Sequence, residues 1–180
     1  MRKINWGIIG LGNIAKKFSD GFAYTNNSNL LAVSSLNDSK FKYFKDKFLI
    51  NEKYFFKNYE DLINCDKIDI VYITLPNTMH YAWIKRCIEK NKKILVEKPA
   101  FCKSEHCLEI KKNILKKKLF FSEGYMYRYN PLIENVIEII NAREFGDVIY
   151  MESSFCKNII TKKKFFFFEK KKKINPKSRL

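Results

Sequence analysis

The sequence predicts an α/β domain with a doubly wound parallel sheet, and three observations carry that reading. Short apolar runs alternate about six times with segments of helical period. Residues 68–75, IDIVYITL, are apolar almost without a break, as in strands buried on both faces. The opening run, residues 4–9, passes through Gly10-Leu11-Gly12 straight into a helical segment.

Taken in order, INWGII at residues 4–9 is the first strand, and residues 13–22 form a helix with Ile14, Phe18 and Phe22 on one face. A polar loop at 26–29 precedes LLAVSSL, residues 30–36, the second strand. Asp38 or Ser39 can cap a helix carrying Phe41, Phe44 and Phe48, with lysines 40, 42, 45 and 47 on its solvated side. Residues 54–56 make a short strand and 59–64 a short helix. After the strand at 68–75 come a helix at 78–90, with Tyr81, Ile84 and Ile88 facing inward, and a strand at 93–96. A helix from Ser104 to about Lys117, a strand at 119–122 and a helix at 132–141 complete the alternation.

A strand, a glycine turn and a helix in that order suit a diphosphate. The turn needs a residue without a Cβ, the anion must come close to bare backbone, and the first helical N–H groups point at it. Gly10 fits the turn, Gly12 the close approach, and Ala15 the small residue where helix meets sheet, giving Gly-x-Gly-x-x-Ala. A glycine turn joining any strand to any helix is the plainer alternative. At the end of the second strand, Ser34-Ser35-Leu36-Asn37-Asp38 offers no carboxylate at the position that binds adenosine ribose, and no arginine for a 2′-phosphate. NAD and NADP both stay open. Three further polar clusters, TLPN, EKPA and EGYMYRYNP, follow strands and are expected to line the same crevice.

The chain has 180 residues, enough for one domain of about 150 residues with a remainder. Its 46% hydrophobic content supports a core, and no apolar run approaches the roughly 20 residues of a membrane span. The start reads as a strand and not as a leader peptide, so a cytoplasmic protein without membrane partners is expected. Five cysteines without a CxxC, beside two histidines, suggest reduced thiols and no metal site. The net charge of +16 is concentrated near the end, where residues 157–180 hold ten Lys or Arg against Glu169. A scattered lysine excess elsewhere does not argue for a specific nucleic-acid partner.

Gly-x-Gly-x-x-Ala at Gly10, T-x-P-N-x-x-H at Thr74 to His80, E-K-P at Glu97 to Pro99 and M-Y-R-Y-N-P at Met126 to Pro131 resemble the Gfo/Idh/MocA oxidoreductases. The last motif and its flanks look most like the dihydrodiol and xylose dehydrogenase branch. The resemblance, over residues 4–155, implies a Rossmann-type domain binding NAD or NADP and hydride transfer with a sugar, polyol or related CH–OH group. It implies that Lys98 is catalytic, beside nicotinamide and the reacting oxygen, where an ammonium can polarise or protonate that oxygen. It further implies cofactor contacts at Gly10, Gly12, Asn13, Ile14, Ser35, Leu36, Thr74, Pro76, Asn77, His80, Glu97 and Lys98, with Arg128 at the substrate edge. Alone, each residue has a plainer reading: a solvated lysine, a chain-breaking proline, a helix-surface histidine, core tyrosines.

The division expected is a cofactor domain at 1–123 and the beginning of a substrate and oligomerisation domain at 124–180. Family members are about twice as long, so a fragment or a natural short form is expected, with homo-oligomers formed by a full-length form. DVIYMESSFCK, residues 147–157, reads as the first strand of the second domain, and residues 162–180 as a Lys/Phe-rich low-complexity tail. The family's downstream motif for a second proton-transfer partner, a glycine pair followed by Asp and then His or Cys-Tyr, does not occur in these 180 residues. A non-catalytic nucleotide-binding module or sensor is the alternative function.

Overall fold

The structure, a computed structural model, describes residues 2–154 and Cys156. The described chain falls into two compact units, one ending at Glu134 and the other beginning at Asn135. The tail expected at 162–180, with its Phe165 to Phe168 run, lies outside the described residues.

The first unit is built on a six-stranded parallel sheet in the order β3-β2-β1-β4-β5-β6, with β1 Ile4–Ile9, β2 Ser28–Ser34, β3 Phe55–Phe56, β4 Ile70–Ile73, β5 Lys93–Val96 and β6 Phe121–Glu123. The order reverses between β1 and β4, which is where a doubly wound sheet opens a crevice at its carboxyl edge. Helices α1 Asn13–Asp20, α2 Phe41–Lys47, α3 Tyr59–Asn64, α4 Asn77–Glu89 and α5 Ser104–Lys117 connect the strands. The helix α6 Pro131–Ala142 follows.

Alternation along the strands explains the two layers of helices. Ile9, Val71, Ile73, Ile94 and Val96 point to one face, packed against Leu62 and Ile63 of α3, Ile84 and Ile88 of α4, and Ile110 of α5. Ile8, Val33 and Tyr72 point to the other, against Ala15 of α1 and Phe41 and Phe44 of α2. Burial on both faces is why β4 has no charged residue and, in Tyr72, a single hydroxyl.

Register positions the functional edge. Ile9 pairs with Ser34 and with Ile73, Ile73 with Val96, and Val96 with Glu123. The residues that follow, Ser35, Gly10, Thr74, Glu97 and Gly124, therefore stand in one row along the sheet edge.

Three expectations change. The first helix ends at Asp20, and Gly21–Tyr24 tightens into a 3-10 turn, although Phe22 still packs on Trp6 with ring centroids 6.0 Å apart. Neither Asp38 nor Ser39 caps α2: Asn37, whose side chain accepts from the Ser39 N–H, opens a 3-10 turn, Asp38–Lys40, that runs into α2, and Lys40 at the start of α2 makes no side-chain cap. The strand expected at 147–157 does not form over residues 147–154, where no described segment pairs with it; Ile149 is 97% exposed there. No helix among the described residues is long and apolar enough to cross a membrane.

Lys92, just before β5, is buried, and its ammonium donates to the carbonyls of Cys65 at 2.7 Å and Ile68 at 2.9 Å. It ties the end of α3 to the loop entering β4. Lys92→Met strips both carbonyls of their donor and is expected to lower stability by about 1–3 kcal/mol in urea unfolding while retaining the helical circular dichroism.

Candidate functional site

The turn after β1 is fixed by backbone geometry. Gly10 has φ +86°, and a Cβ there would lie 2.7 Å from the Leu75 side chain and 3.1 Å from the Thr74 carbonyl oxygen. Only glycine meets both demands without strain. The Gly10 N–H donates to Ser34 O at 3.0 Å, and the Thr74 hydroxyl bonds the Gly10 and Ile9 carbonyls. The turn is thus clamped between β2 and β4.

Gly12 differs. A Cβ built on it meets nothing within 4 Å, and no side chain caps α1, which starts at the next residue. The first N–H groups of α1 have no intrahelical partner and stand at the positive end of the helix. The glycine turn opens on a cavity of about 510 Å³ lined by Gly10, Leu11, Gly12, Ser35, Leu36, Asn37, Lys40, Tyr59, Thr74, Leu75 and Pro76. Its walls come from the ends of β1, β2 and β4 and the residue that opens α3.

Along the same edge, the segment after β5 is pinned on three sides. The Glu97 N–H donates to Ile73 O at 3.0 Å, the Pro99 carbonyl sits 2.9 Å from His80 Nδ1, and the Ala100 N–H donates to Glu123 Oε1 at 2.7 Å. Lys98, in the middle of this pinned loop, is exposed. The Tyr72 hydroxyl donates to Glu97 Oε1; burial, reinforced by that carboxylate, pushes the Tyr72 phenol far above its usual range. Tyr72 therefore stays protonated and holds Glu97 in place.

Residues 4–125 match the Gfo/Idh/MocA family, an oxidoreductase family with an NAD-binding Rossmann fold. The chain belongs to that family. It is 27% identical over 150 residues to the D-xylose 1-dehydrogenase (NADP(+)) 2 of Haloferax volcanii, covering 83% of this chain and 45% of the relative. It is 26% identical to the trans-1,2-dihydrobenzene-1,2-diol dehydrogenase of Bos taurus, covering 87% and 47%. The scyllo-inositol dehydrogenase of Lactobacillus casei, solved with bound NAD(H) and scyllo-inositol, superposes with a TM-score of 0.74 at 24% identity over 81% of this chain and 43% of that one, a likeness of fold. The chain spans just under half the length of these curated relatives.

The expected site residues fall into separate groups. Gly10, Gly12, Ser35, Leu36, Thr74 and Pro76 line the 510 Å³ cavity, whereas Ile14 and Glu97 line a second groove of about 590 Å³ with Trp6, Phe18, Tyr72, Leu95 and Tyr125. Asn13 and Asn77 open α1 and α4 and are exposed; Arg128, in a 3-10 turn, and Lys98 are also exposed and line neither hollow. His80 corrects the expectation of a cofactor contact. It is fully buried, with Nε2 2.8 Å from Leu75 O and Nδ1 beside Pro99 O, so both ring nitrogens face backbone carbonyls and the side chain has no exposed surface to offer a ligand. Its place is that of a brace between the Thr74–Pro76 floor and the Lys98 loop.

Sequence reasoning missed Asn37, Lys40, Tyr59 and Tyr72. For Lys40 the signal was its place just after β2; Tyr72 gave none, because in sequence it is one more apolar residue of β4. Gly10→Ala is expected to cost about 1–3 kcal/mol of stability, and Gly12→Ala less than about 1 kcal/mol, compared by urea unfolding of the two variants.

Proposed function

We propose that this chain forms the cofactor half of an NAD(P)-dependent dehydrogenase acting on a sugar, polyol or similar CH–OH group. One observation carries the reading. The space a Cβ would occupy at Gly12 is empty and faces a cavity continuous from the α1 start to the end of β2, as a dinucleotide's diphosphate and adenosine require.

In this reading the N–H groups of Gly12, Asn13 and Ile14 hold the diphosphate, and Leu36 and Pro76 offer apolar surface to the adenosine. Thr74 keeps the turn closed. The cofactor, when bound, supplies the hydride acceptor or donor. Lys98 holds a proton at the substrate oxygen, as donor in reduction and acceptor in oxidation, while the three anchors on residues 97–100 keep its backbone from drifting. Arg128 contributes a charge at the substrate edge. The substrate classes named for the xylose and dihydrodiol relatives motivate a screen of aldoses, polyols and vicinal diols.

Titration of NADH and NADPH by fluorescence should give micromolar binding. Gly12→Val should raise Kd more than about tenfold with the thermal midpoint little changed, because its side chain fills ligand space and no protein space. Binding unaffected by Gly12→Val would overturn the reading. Where the screen finds turnover, Lys98→Met should lower kcat by about 10²–10⁴, a far larger change than in cofactor Kd. This chain alone is expected to show little or no turnover, so the screen is run on a chain extended to the length of the relatives; tight cofactor binding with no turnover by that longer chain on any member of the screen would leave a nucleotide-binding module instead.

A further inference from the structure

Resting on that cofactor reading, we infer that the chain selects NADP(H) over NAD(H), with Lys40 and Lys16 holding the adenosine 2′-phosphate. A binder of NAD keeps a carboxylate at the end of its second strand to accept from both ribose hydroxyls. Among the described residues no carboxylate lines the 510 Å³ cavity. The nearest in sequence, Asp38, is turned away: its Oδ2 is 2.6 Å from Lys57 Nζ, and it lines a different hollow with Phe41, Lys45 and Phe55. Ser35 cannot substitute, since its hydroxyl accepts from the Asn37 N–H and donates to the Asn37 carbonyl, both at 3.1 Å.

Cationic side chains occupy the position instead. Lys40 lines the cavity and also a neighbouring hollow of about 370 Å³, whose other walls are Lys16, Ser39, Lys42, Tyr43 and Asp46. Lys40 is thus the shared wall between the adenosine cavity and a hollow with three lysines against one carboxylate. Among the described residues neither Lys16 nor Lys40 is in an ion pair, so neither charge is already committed. Lys16 Nζ stands 5.0 Å from the ring centroid of Tyr43, which lines the same hollow. A dianionic 2′-phosphate entering between Lys40 and Lys16 gains charge-assisted hydrogen bonds that a ribose hydroxyl does not. The Ser39 hydroxyl, in the same hollow, already donates to Asn37 Oδ1 and stiffens the turn.

The test is equilibrium binding of NADPH and NADH to the full chain, with 2′,5′-ADP and 5′-AMP as competitors. NADPH is expected to bind about tenfold to a hundredfold tighter than NADH, and 2′,5′-ADP to compete far better than 5′-AMP. Lys40→Ala should weaken NADPH about tenfold and change NADH less than about twofold, with Lys16→Ala acting in the same sense. The advantage of NADPH should shrink with added salt. Equal or tighter binding of NADH, or a Lys40→Ala effect equal on both cofactors, would overturn this inference and leave the proposed function standing. Failure of both cofactors to bind folded protein would overturn the two together.

Discussion

At the carboxyl end of β1 the backbone passes so close to β4 that a single methyl group would strike the Leu75 side chain and crowd the Thr74 carbonyl. Everything at the functional edge depends on this approach. It brings β1 and β4 level, it is closed by the Thr74 hydroxyl on the Gly10 and Ile9 carbonyls, and it delivers the chain to the start of α1 with its N–H groups turned outward. Two residues later the constraint inverts. Around Gly12 there is room where Gly10 has none, so one glycine serves the protein's own packing and the other leaves space for something else.

The same edge is held rigid from below. His80, inside α4 and without exposure, lies between the carbonyls of Leu75 and Pro99, and so couples the floor of the cavity to the loop that presents Lys98. Glu123 reaches the Ala100 N–H from the far side, and Tyr72 rises from the middle of the sheet to Glu97. Buried polar groups of this kind are costly unless paired; the Ala100 N–H and the Tyr72 hydroxyl each donate to a carboxylate, and the His80 ring donates its N–H to one of the two carbonyls beside it. Two strands, β4 and β6, and the helix α4 thus hold the loop after β5, while Lys98 on that loop is exposed.

How much of this was legible depended on whether the signal was local. β1 and β5 match their expected limits because a short apolar run bounded by a glycine turn, or by Asn-Lys and Glu-Lys-Pro, has few other solutions. Residues 104–117 read correctly as a helix for the same reason: their period and length leave no alternative. The first helix was overextended because Phe22 does face the same cluster as Phe18, but through a 3-10 turn that periodicity cannot distinguish from one more helical turn. The strand expected at 147–157 rests on its alternating face and on the second domain that the resemblance implies, and over residues 147–154 no described segment supplies the neighbour that a strand needs. In the site, glycines and prolines were readable because their backbone demands are intrinsic. The role of His80, the diversion of Asp38 to Lys57 and the arrival of Lys40 at the cavity depend on partners distant in sequence or on side-chain direction, and no spacing rule contains them.

In the proposed function the glycine turn, the end of β2 and the Thr74–Pro76 floor form one ligand surface. Amide hydrogen exchange with and without saturating NAD(P)H tests it most directly. Slowed exchange should concentrate at residues 10–14, 35–37 and 74–77, three segments far apart in sequence and joined only by the register of the sheet. Protection absent from these segments, or gathered instead around Phe41, Lys45 and Phe55, would contradict it.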